Sequence, residues 1–167
     1  MGNILVVEDD DSLRLVMHAQ LERLGYPTSS ASDASQALDL LRTEPQDLVV
    51  CDLNLPDRSG LEVLKSVRAE YPETTVVIVT AYATVQTAVE AIRNGAYDYL
   101  TKPVHPDELR ALVNRVFERK RLIDEVRVLR STVDRKFGFE NITGQSDALM
   151  HVLDTAASVA RASRSSR

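Results

Sequence analysis

Acidic side chains stand directly after two predicted strands. Glu8 and Asp9 follow the apolar run 4–7, and Asp52 follows the run 48–51. The carboxyl ends of parallel strands open on one edge, and ligands bind there where the strand order reverses, so we expect the three carboxylates to converge. Such a cluster is repulsive unless a cation offsets it. The residue types predict a Mg²⁺ site, since Mg²⁺ prefers oxygen ligands.

Two further polar residues follow strands at the same predicted edge. Thr80 ends the run 76–79, and Lys102 follows the run 97–100. A carboxylate nucleophile, a divalent cation, a hydroxyl donor and an ammonium group are the parts needed to form and hold an acyl phosphate. In this interpretation Asp52 is the nucleophile, Lys102 neutralises phosphoryl charge and Thr80 donates a hydrogen bond to a phosphoryl oxygen.

Short apolar runs alternate with amphipathic helical stretches over the first two thirds of the chain. The predicted strands cover 4–7, 28–31, 48–51, 76–79 and 97–100. Apolar residues at helical spacing lie between them, and Gly25 and Gly95 stand where helix C-caps are expected. The alternation predicts an α/β fold, a doubly wound five-stranded parallel sheet with helices on both faces.

The last predicted helix is longer than the sheet needs. It starts after Pro106 and meets no breaker until Gly138. Four of its apolar residues alternate four and three positions apart, the spacing of a coiled-coil seam, namely Leu122, Val126, Leu129 and Val133. We expect this seam to pair with a second chain, the alternative being a helix packed on its own domain. Beyond Gly138 the sequence predicts a short helix over 146–160 and a polar end that does not fold alone.

Composition and charge argue against several classes of protein. Of the 167 residues, 44% are hydrophobic and 27% charged, which is typical of a globular chain. Residues 1–104 carry 16 acidic and 8 basic side chains, an excess that argues against a nucleic-acid surface there. No apolar stretch approaches the roughly 20 residues that cross a bilayer, and Cys51 is the single cysteine. We therefore expect a cytoplasmic protein without a membrane span or a disulfide.

Four segments of the chain resemble the receiver domain of bacterial two-component response regulators. They are V-V-E-D-D (6–10), D-L-N-L-P (52–56), V-T-A-Y (79–82) and Y-L-T-K-P (99–103). The resemblance implies a flavodoxin-like, CheY-like fold with an extended C-terminal helix.

This resemblance implies roles for the acidic residues. It implies that Asp52 accepts a phosphoryl group from a sensor histidine kinase. Asp9, Asp52 and the backbone carbonyl of Asn54 are the implied Mg²⁺ ligands. Glu8 stands where many relatives have Asp, and its longer side chain is expected to act on the metal through a water.

The resemblance also implies how the phosphoryl group is held and sensed. Lys102 would pair with it, next to a cis peptide bond to Pro103. Thr80 and Tyr99 resemble the switch pair, in which the hydroxyl moves toward phosphate and the aromatic ring turns into the vacated space. The face formed by the fourth helix, fifth strand and fifth helix would report the change. We expect a homodimer through this face or through the long helix.

The tail is similar to the linker and the opening of the AAA+ domain in NtrC-type activators of sigma-54 polymerase. The predicted domains are a receiver (1–121), a helical linker or coiled coil (122–138) and a partly disordered AAA+ remnant (139–167). The sequence has neither a G-x-x-x-x-G-K-[ST] phosphate loop nor a helix-turn-helix. We therefore expect no ATP hydrolysis and no direct DNA binding by this chain.

Our leading hypothesis is a signalling phosphoacceptor that regulates sigma-54-dependent transcription in the full-length protein. We expect it to catalyse at most its own phosphorylation and dephosphorylation, and no other reaction. One alternative is a Mg²⁺-dependent aspartyl-phosphate phosphohydrolase. Phosphatases of the haloacid-dehalogenase type need an acid two residues after the nucleophile, where this chain has Asn54. A second alternative, compatible with the leading hypothesis, is a dimerisation module.

Overall fold

Parallel strands alternate with helices along the chain. The computed structural model describes the backbone of residues 2–164 and the side chains of residues 2–137 and 150–159. Within this range the strands are β1 (Ile4–Val7), β2 (Thr28–Ala31), β3 (Leu48–Asp52), β4 (Thr75–Thr80) and β5 (Asp98–Thr101). The helices are α1 (Asp11–Arg23), α2 (Ala34–Thr43), α3 (Gly60–Glu70), α4 (Val85–Arg93) and α5 (Pro106–Arg164).

The sheet of the described residues has the order β2-β1-β3-β4-β5, with all neighbours parallel. The strand order reverses between β1 and β3, so the predicted doubly wound fold is confirmed. Asp52 and Thr80 are the last residues of β3 and β4 and pair with the neighbouring strands, one residue beyond the apolar runs 48–51 and 76–79. The predicted fifth strand lies one residue too early, because β5 begins at Asp98.

Helices cover both faces of the sheet. Leu5 and Val7 of β1 point to the face packed by α2, α3 and α4, and Ile4 and Val6 point to the face packed by α1 and α5. All four side chains are fully buried or nearly so. Strands buried on both faces are continuously apolar, which is why short apolar runs predicted them.

Capping residues define the ends of α1 and α4. The Asp10 carboxylate accepts a hydrogen bond from the Leu13 amide at 2.9 Å and caps α1. Gly25 and Gly95 follow α1 and α4 with φ of 90° and 97°, a left-handed conformation that favours glycine. The predicted glycine C-caps are therefore confirmed.

The C-terminal helix differs from the prediction. The structure continues α5 from Pro106 to Arg164, whereas the sequence predicts a break at Gly138. A glycine inside a helix lowers its stability by only about 1 kcal/mol, and no proline follows it here. The side chains of residues 138–149 and 160–167 lie outside the described residues.

The chain divides into two units, Met1–Glu118 and Arg119–Arg167. The first contains the sheet. In the second, the described apolar side chains are exposed, among them Leu122, Val126, Leu129 and Val133. In the part of the chain that the structure describes, no helix combines the length and apolarity that a bilayer crossing requires.

Candidate functional site

The carboxylates of Glu8, Asp9 and Asp52 meet at the carboxyl edge of the sheet. One oxygen from each lies within 4.8 Å of the others. β1 pairs with β3 with Val7 opposite Cys51, so the residues that follow this pair are brought side by side. Glu8 and Asp52 are buried, whereas Asp9 is exposed. The predicted convergence of the three acids is therefore present.

Lys102 lies between the two buried acids. Its Nζ is 2.7 Å from Oε2 of Glu8 and 2.9 Å from Oδ2 of Asp52. The backbone amide of Lys102 donates to the carbonyl of Thr80 at 2.8 Å, which fixes the residue beyond the end of β5. The peptide bond to Pro103 is cis, as the resemblance implies.

Burial and the hydrogen bonds of the ion pair shift the pKa values of Glu8 and Lys102 in opposite directions. Burial raises the pKa of Glu8 and the Asp52 charge adds to this, while the hydrogen bond from Lys102 lowers it, and the net shift is upward. Burial lowers the pKa of Lys102, but hydrogen bonds to Glu8 and Asp52 raise it, and here too the net shift is upward. Lys102 therefore stays charged and offsets part of the acidic cluster.

The loop after β1 is fixed by its own acids and by one arginine. Oε1 of Glu8 accepts from the Asp10 amide at 3.2 Å. Arg14 of α1 donates to the carbonyl of Glu8 at 2.8 Å and pairs with Asp11. The sequence analysis missed Arg14, although a half-buried arginine one turn after an acidic run is a plausible partner for that run.

The loop after β3 folds back on the phosphoacceptor candidate. The Asn54 amide donates to Oδ1 of Asp52 at 3.2 Å, and Asn54 forms an antiparallel bridge with Ser59. The Gly60 amide donates to the carbonyl of Leu53 at 2.7 Å. These bonds hold Asn54, the predicted carbonyl ligand, close to the carboxylate of Asp52.

Asp57, at the tip of this loop, contacts α2. Its Oδ1 accepts from the amide of Ala34 at 2.9 Å, and its Oδ2 accepts from the amide of Ser35 at 2.9 Å and from the Ser35 hydroxyl at 2.8 Å. Burial by itself would raise the pKa of Asp57, but these hydrogen bonds lower it to about 2. Sequence reasoning did not find this contact, because nothing in the local pattern links residues 22 positions apart.

Thr80 and Tyr99, the predicted switch pair, have separate partners. Thr80 is fully buried at the end of β4, and its hydroxyl accepts from the Tyr82 amide at 3.2 Å. Tyr99 is half-buried, and its hydroxyl lies 2.7 Å from Oγ1 of Thr87 on α4. Thr87, like Arg14 and Asp57, is a residue that the sequence analysis did not single out.

The donor set fits a hard divalent cation. Three carboxylates within 4.8 Å offer oxygen ligands only, and Lys102 balances one of their negative charges. Mg²⁺ is bound in proteins through one or two carboxylates and keeps several waters. Asp9 is exposed, so the cluster is open to solvent on that side.

Comparison with known proteins agrees with this geometry. The chain is 33% identical over 160 residues to the regulatory protein AtoC of Escherichia coli, covering 96% of this chain and 35% of AtoC. It is 39% identical over 159 residues to the alginate biosynthesis transcriptional regulatory protein AlgB of Pseudomonas aeruginosa, covering 95% of this chain and 35% of AlgB. The chain thus spans about a third of the length of these relatives.

A solved structure shares the fold. The crystal structure of NtrX from Brucella abortus superimposes with a TM-score of 0.72 at 35% identity, covering 77% of this chain and 30% of NtrX. These relatives confirm the predicted resemblance to NtrC-type regulators. Residues 4–114 match the response regulator receiver domain. The chain therefore belongs to the response regulator receiver domain family.

Proposed function

We propose that this chain is the phosphoacceptor of a two-component signalling system, in which Asp52 receives a phosphoryl group from a sensor histidine kinase. An oxygen of Asp52 attacks phosphorus, the P–N bond of the phosphohistidine breaks, and the imidazole leaves with the electron pair as the acyl phosphate forms. The two contacts of the Asp52 carboxylate are the observation that supports this proposal. One of its carboxylate oxygens lies 2.9 Å from Nζ of Lys102 and the other 3.2 Å from the Asn54 amide.

We infer Mg²⁺ as the cofactor, with Asp9, Asp52 and the carbonyl of Asn54 as its ligands. When bound, the ion supplies positive charge to the transferring phosphoryl group. In this proposal Glu8 contacts the ion through a water molecule and is not a direct ligand. Glu8 is buried, its Oε2 pairs with Lys102 and its Oε1 accepts from the Asp10 amide, whereas Asp9 is exposed.

Lys102 and Thr80 hold the product in this proposal, and Tyr99 senses it. The ammonium group of Lys102 pairs with the phosphoryl charge. The Thr80 hydroxyl turns from the Tyr82 amide toward a phosphoryl oxygen, and the ring of Tyr99 moves into the space it leaves. The face of α4, β5 and the start of α5 then transmits the change.

We infer that the output lies in a longer protein. We propose that the full-length protein regulates sigma-54-dependent transcription. This chain spans about a third of the length of the NtrC-type relatives that it matches. The chain itself acts as a phosphoacceptor, not as an ATP-hydrolysing enzyme or a DNA-binding module. We place it in the cytoplasm, where a single unpaired cysteine is usual.

The test of phosphorylation is the intact mass of the full chain after incubation with acetyl phosphate and Mg²⁺. We expect the mass of one phosphoryl group on the wild type and none on Asp52→Asn. Asp39→Asn removes an exposed carboxylate on α2 and should be phosphorylated as the wild type is. Phosphorylation of Asp52→Asn would contradict the assignment. Repeated release of inorganic phosphate from a phosphate monoester, which is not an acyl phosphate, would favour the phosphohydrolase alternative.

We also propose that the chain forms a homodimer through the seam of α5. Leu122, Val126, Leu129 and Val133 are each about half exposed or more, and they recur at coiled-coil spacing. Leu129→Asp should shift a dimer to monomers in sedimentation velocity. Val128→Asp is the control, because Val128 is equally exposed but lies off the seam. Equal mass for the wild type and Leu129→Asp would contradict pairing through this seam.

A further inference from the structure

A carboxylate outside the acidic cluster ties the phosphoacceptor loop to a neighbouring helix. The segment 53–59 joins β3 to α3 and carries Asp57 at its tip. The Asp57 carboxylate accepts hydrogen bonds from the amides of Ala34 and Ser35 and from the Ser35 hydroxyl, at 2.8 to 2.9 Å. Ala34 and Ser35 open α2, where backbone N–H groups have no partner inside the helix. The positive end of the helix dipole favours a carboxylate there.

The segment starts with a bond to β4, because the Leu53 amide donates to the carbonyl of Val79 at 2.8 Å. Three further bonds of the segment are short-range. The Asn54 amide reaches back to the Asp52 carboxylate, Asn54 bridges to Ser59, and the Gly60 amide bonds to Leu53. These contacts close the loop on itself and on the end of β3. Asp57 adds a contact between the tip of the loop and α2, at the end of the loop that the Leu53–Val79 bond does not reach.

We propose that Asp57 is a positioning residue for metal binding, because its contact with α2 holds the loop that carries the Asn54 carbonyl. The inference rests on the proposed function, in which that carbonyl binds Mg²⁺. A ligand held in its bound position loses less conformational entropy on binding. Partners that orient metal ligands contribute to affinity for the same reason.

The competing explanation is that Asp57 only stabilises α2. Asp33 separates the two explanations, because it is the N-cap of the same helix and accepts from the Gln36 amide at 2.8 Å. Asp33→Ala and Asp57→Ala each remove one negative charge and one acceptor at the start of α2. Only Asp57 belongs to the loop that carries Asn54.

The test is a Mg²⁺ titration of the full chain, followed by the NMR shift of the Asn54 amide and by calorimetry. We expect Asp57→Ala to raise the dissociation constant for Mg²⁺ roughly tenfold, the lower end for partners that orient metal ligands. Asp57→Asn should have a smaller effect, since its amide oxygen still accepts a hydrogen bond. The dissociation constant of Asp33→Ala should stay within about twofold of the wild-type value, because Asp33 is not part of the loop.

Urea unfolding of each variant separates metal affinity from loss of α2 stability. Equal weakening in Asp57→Ala and Asp33→Ala, or unchanged affinity in Asp57→Ala, would overturn the inference. If Asp57→Ala does not fold, the Mg²⁺ affinity of Asp57→Asn tests the inference instead. An affinity equal to that of the wild type would then overturn it. A wild-type chain that does not bind Mg²⁺ would instead overturn the proposed function.

Discussion

The hydroxyl of Tyr99 on β5 lies 2.7 Å from Oγ1 of Thr87 on α4. Thr87 also completes the N-terminal cap of α4, because its hydroxyl lies 2.9 Å from Oγ1 of Thr84 and its amide donates to that same oxygen. The side chain proposed to turn on phosphorylation is therefore bonded to the first turn of the helix proposed to report it. A rotation of Tyr99 that breaks this bond removes one contact from the cap of α4.

Tyr99→Phe tests this bond. We expect it to lower the free energy of unfolding in urea by about 1 kcal/mol, the usual contribution of one hydrogen bond. In a double-mutant cycle, Tyr99→Phe and Thr87→Val should be coupled by at least about 0.5 kcal/mol. Tyr82→Phe is the control, because the Tyr82 side chain is exposed. The bond has no energetic role if Tyr99→Phe is as stable as Tyr82→Phe.

Lys102→Met should be strongly destabilising. It leaves the buried carboxylates of Glu8 and Asp52 without their cation, and loss of one partner of a buried ion pair costs about 3 kcal/mol or more. Saturating Mg²⁺ should restore part of this stability, because the ion supplies the missing positive charge. The measurement is urea unfolding with and without Mg²⁺.

Arg115→Met is the control for Lys102→Met. Arg115 pairs with Asp98 on the surface at 3.1 Å, and such pairs contribute about 1 kcal/mol or less. Similar losses in the two variants, or no response of Lys102→Met to Mg²⁺, would argue against a cation-dependent acidic cluster.

Gly60→Ala should disturb the phosphoacceptor. A Cβ at position 60 would lie 2.2 Å from the backbone oxygen of Asp52, so the end of β3 or the start of α3 must move. We expect a loss of about 2 kcal/mol in unfolding free energy and phosphorylation by acetyl phosphate slowed roughly tenfold or more. Gly95→Ala is the control, because it strains a left-handed residue away from the acidic cluster. Unchanged phosphorylation kinetics in Gly60→Ala would contradict this prediction.

The stabilising effect of Asp57 should depend on pH. Its pKa is lowered from 3.8 to about 2 in the folded chain, so the ionised carboxylate stabilises the fold above pH 3.8. This contribution is lost as the pH falls through about 2. The stability difference between the wild type and Asp57→Asn should therefore shrink over that range, as measured by urea unfolding at several pH values. A difference that grows as the pH falls would contradict the sign of the shift.

The fold and the acidic cluster were predictable because they follow from strand patterns. Strands buried on both faces are short apolar runs, so β1 has the bounds that the sequence predicts. The bounds of β2 also match the prediction, although this edge strand, T-S-S-A, is mostly half-buried and has no apolar run. Glu8 and Asp52 directly follow the apolar runs of β1 and β3, the two strands at the reversal of the sheet. Once the strand order is known, their proximity follows from the register.

The contacts of Asp57, Arg14 and Thr87 were not predictable in the same way. Each depends on the conformation of a loop or a cap, and hydrophobic periodicity carries no information on either. The continuation of α5 through Gly138 was missed for another reason. A single glycine changes helix stability too little to fix the end of a helix.

The loop between β3 and α3 is held at several places, among them the Leu53–Val79 bond, the Asn54–Ser59 bridge, the Gly60–Leu53 bond and the contact of Asp57 with α2. Insertion or deletion of one residue between Asp52 and Gly60 would put at least one of these contacts out of register. Most surface loops accept changes of length at little cost. We expect this loop not to accept them, so the number of its residues, and not only their identity, is part of the site.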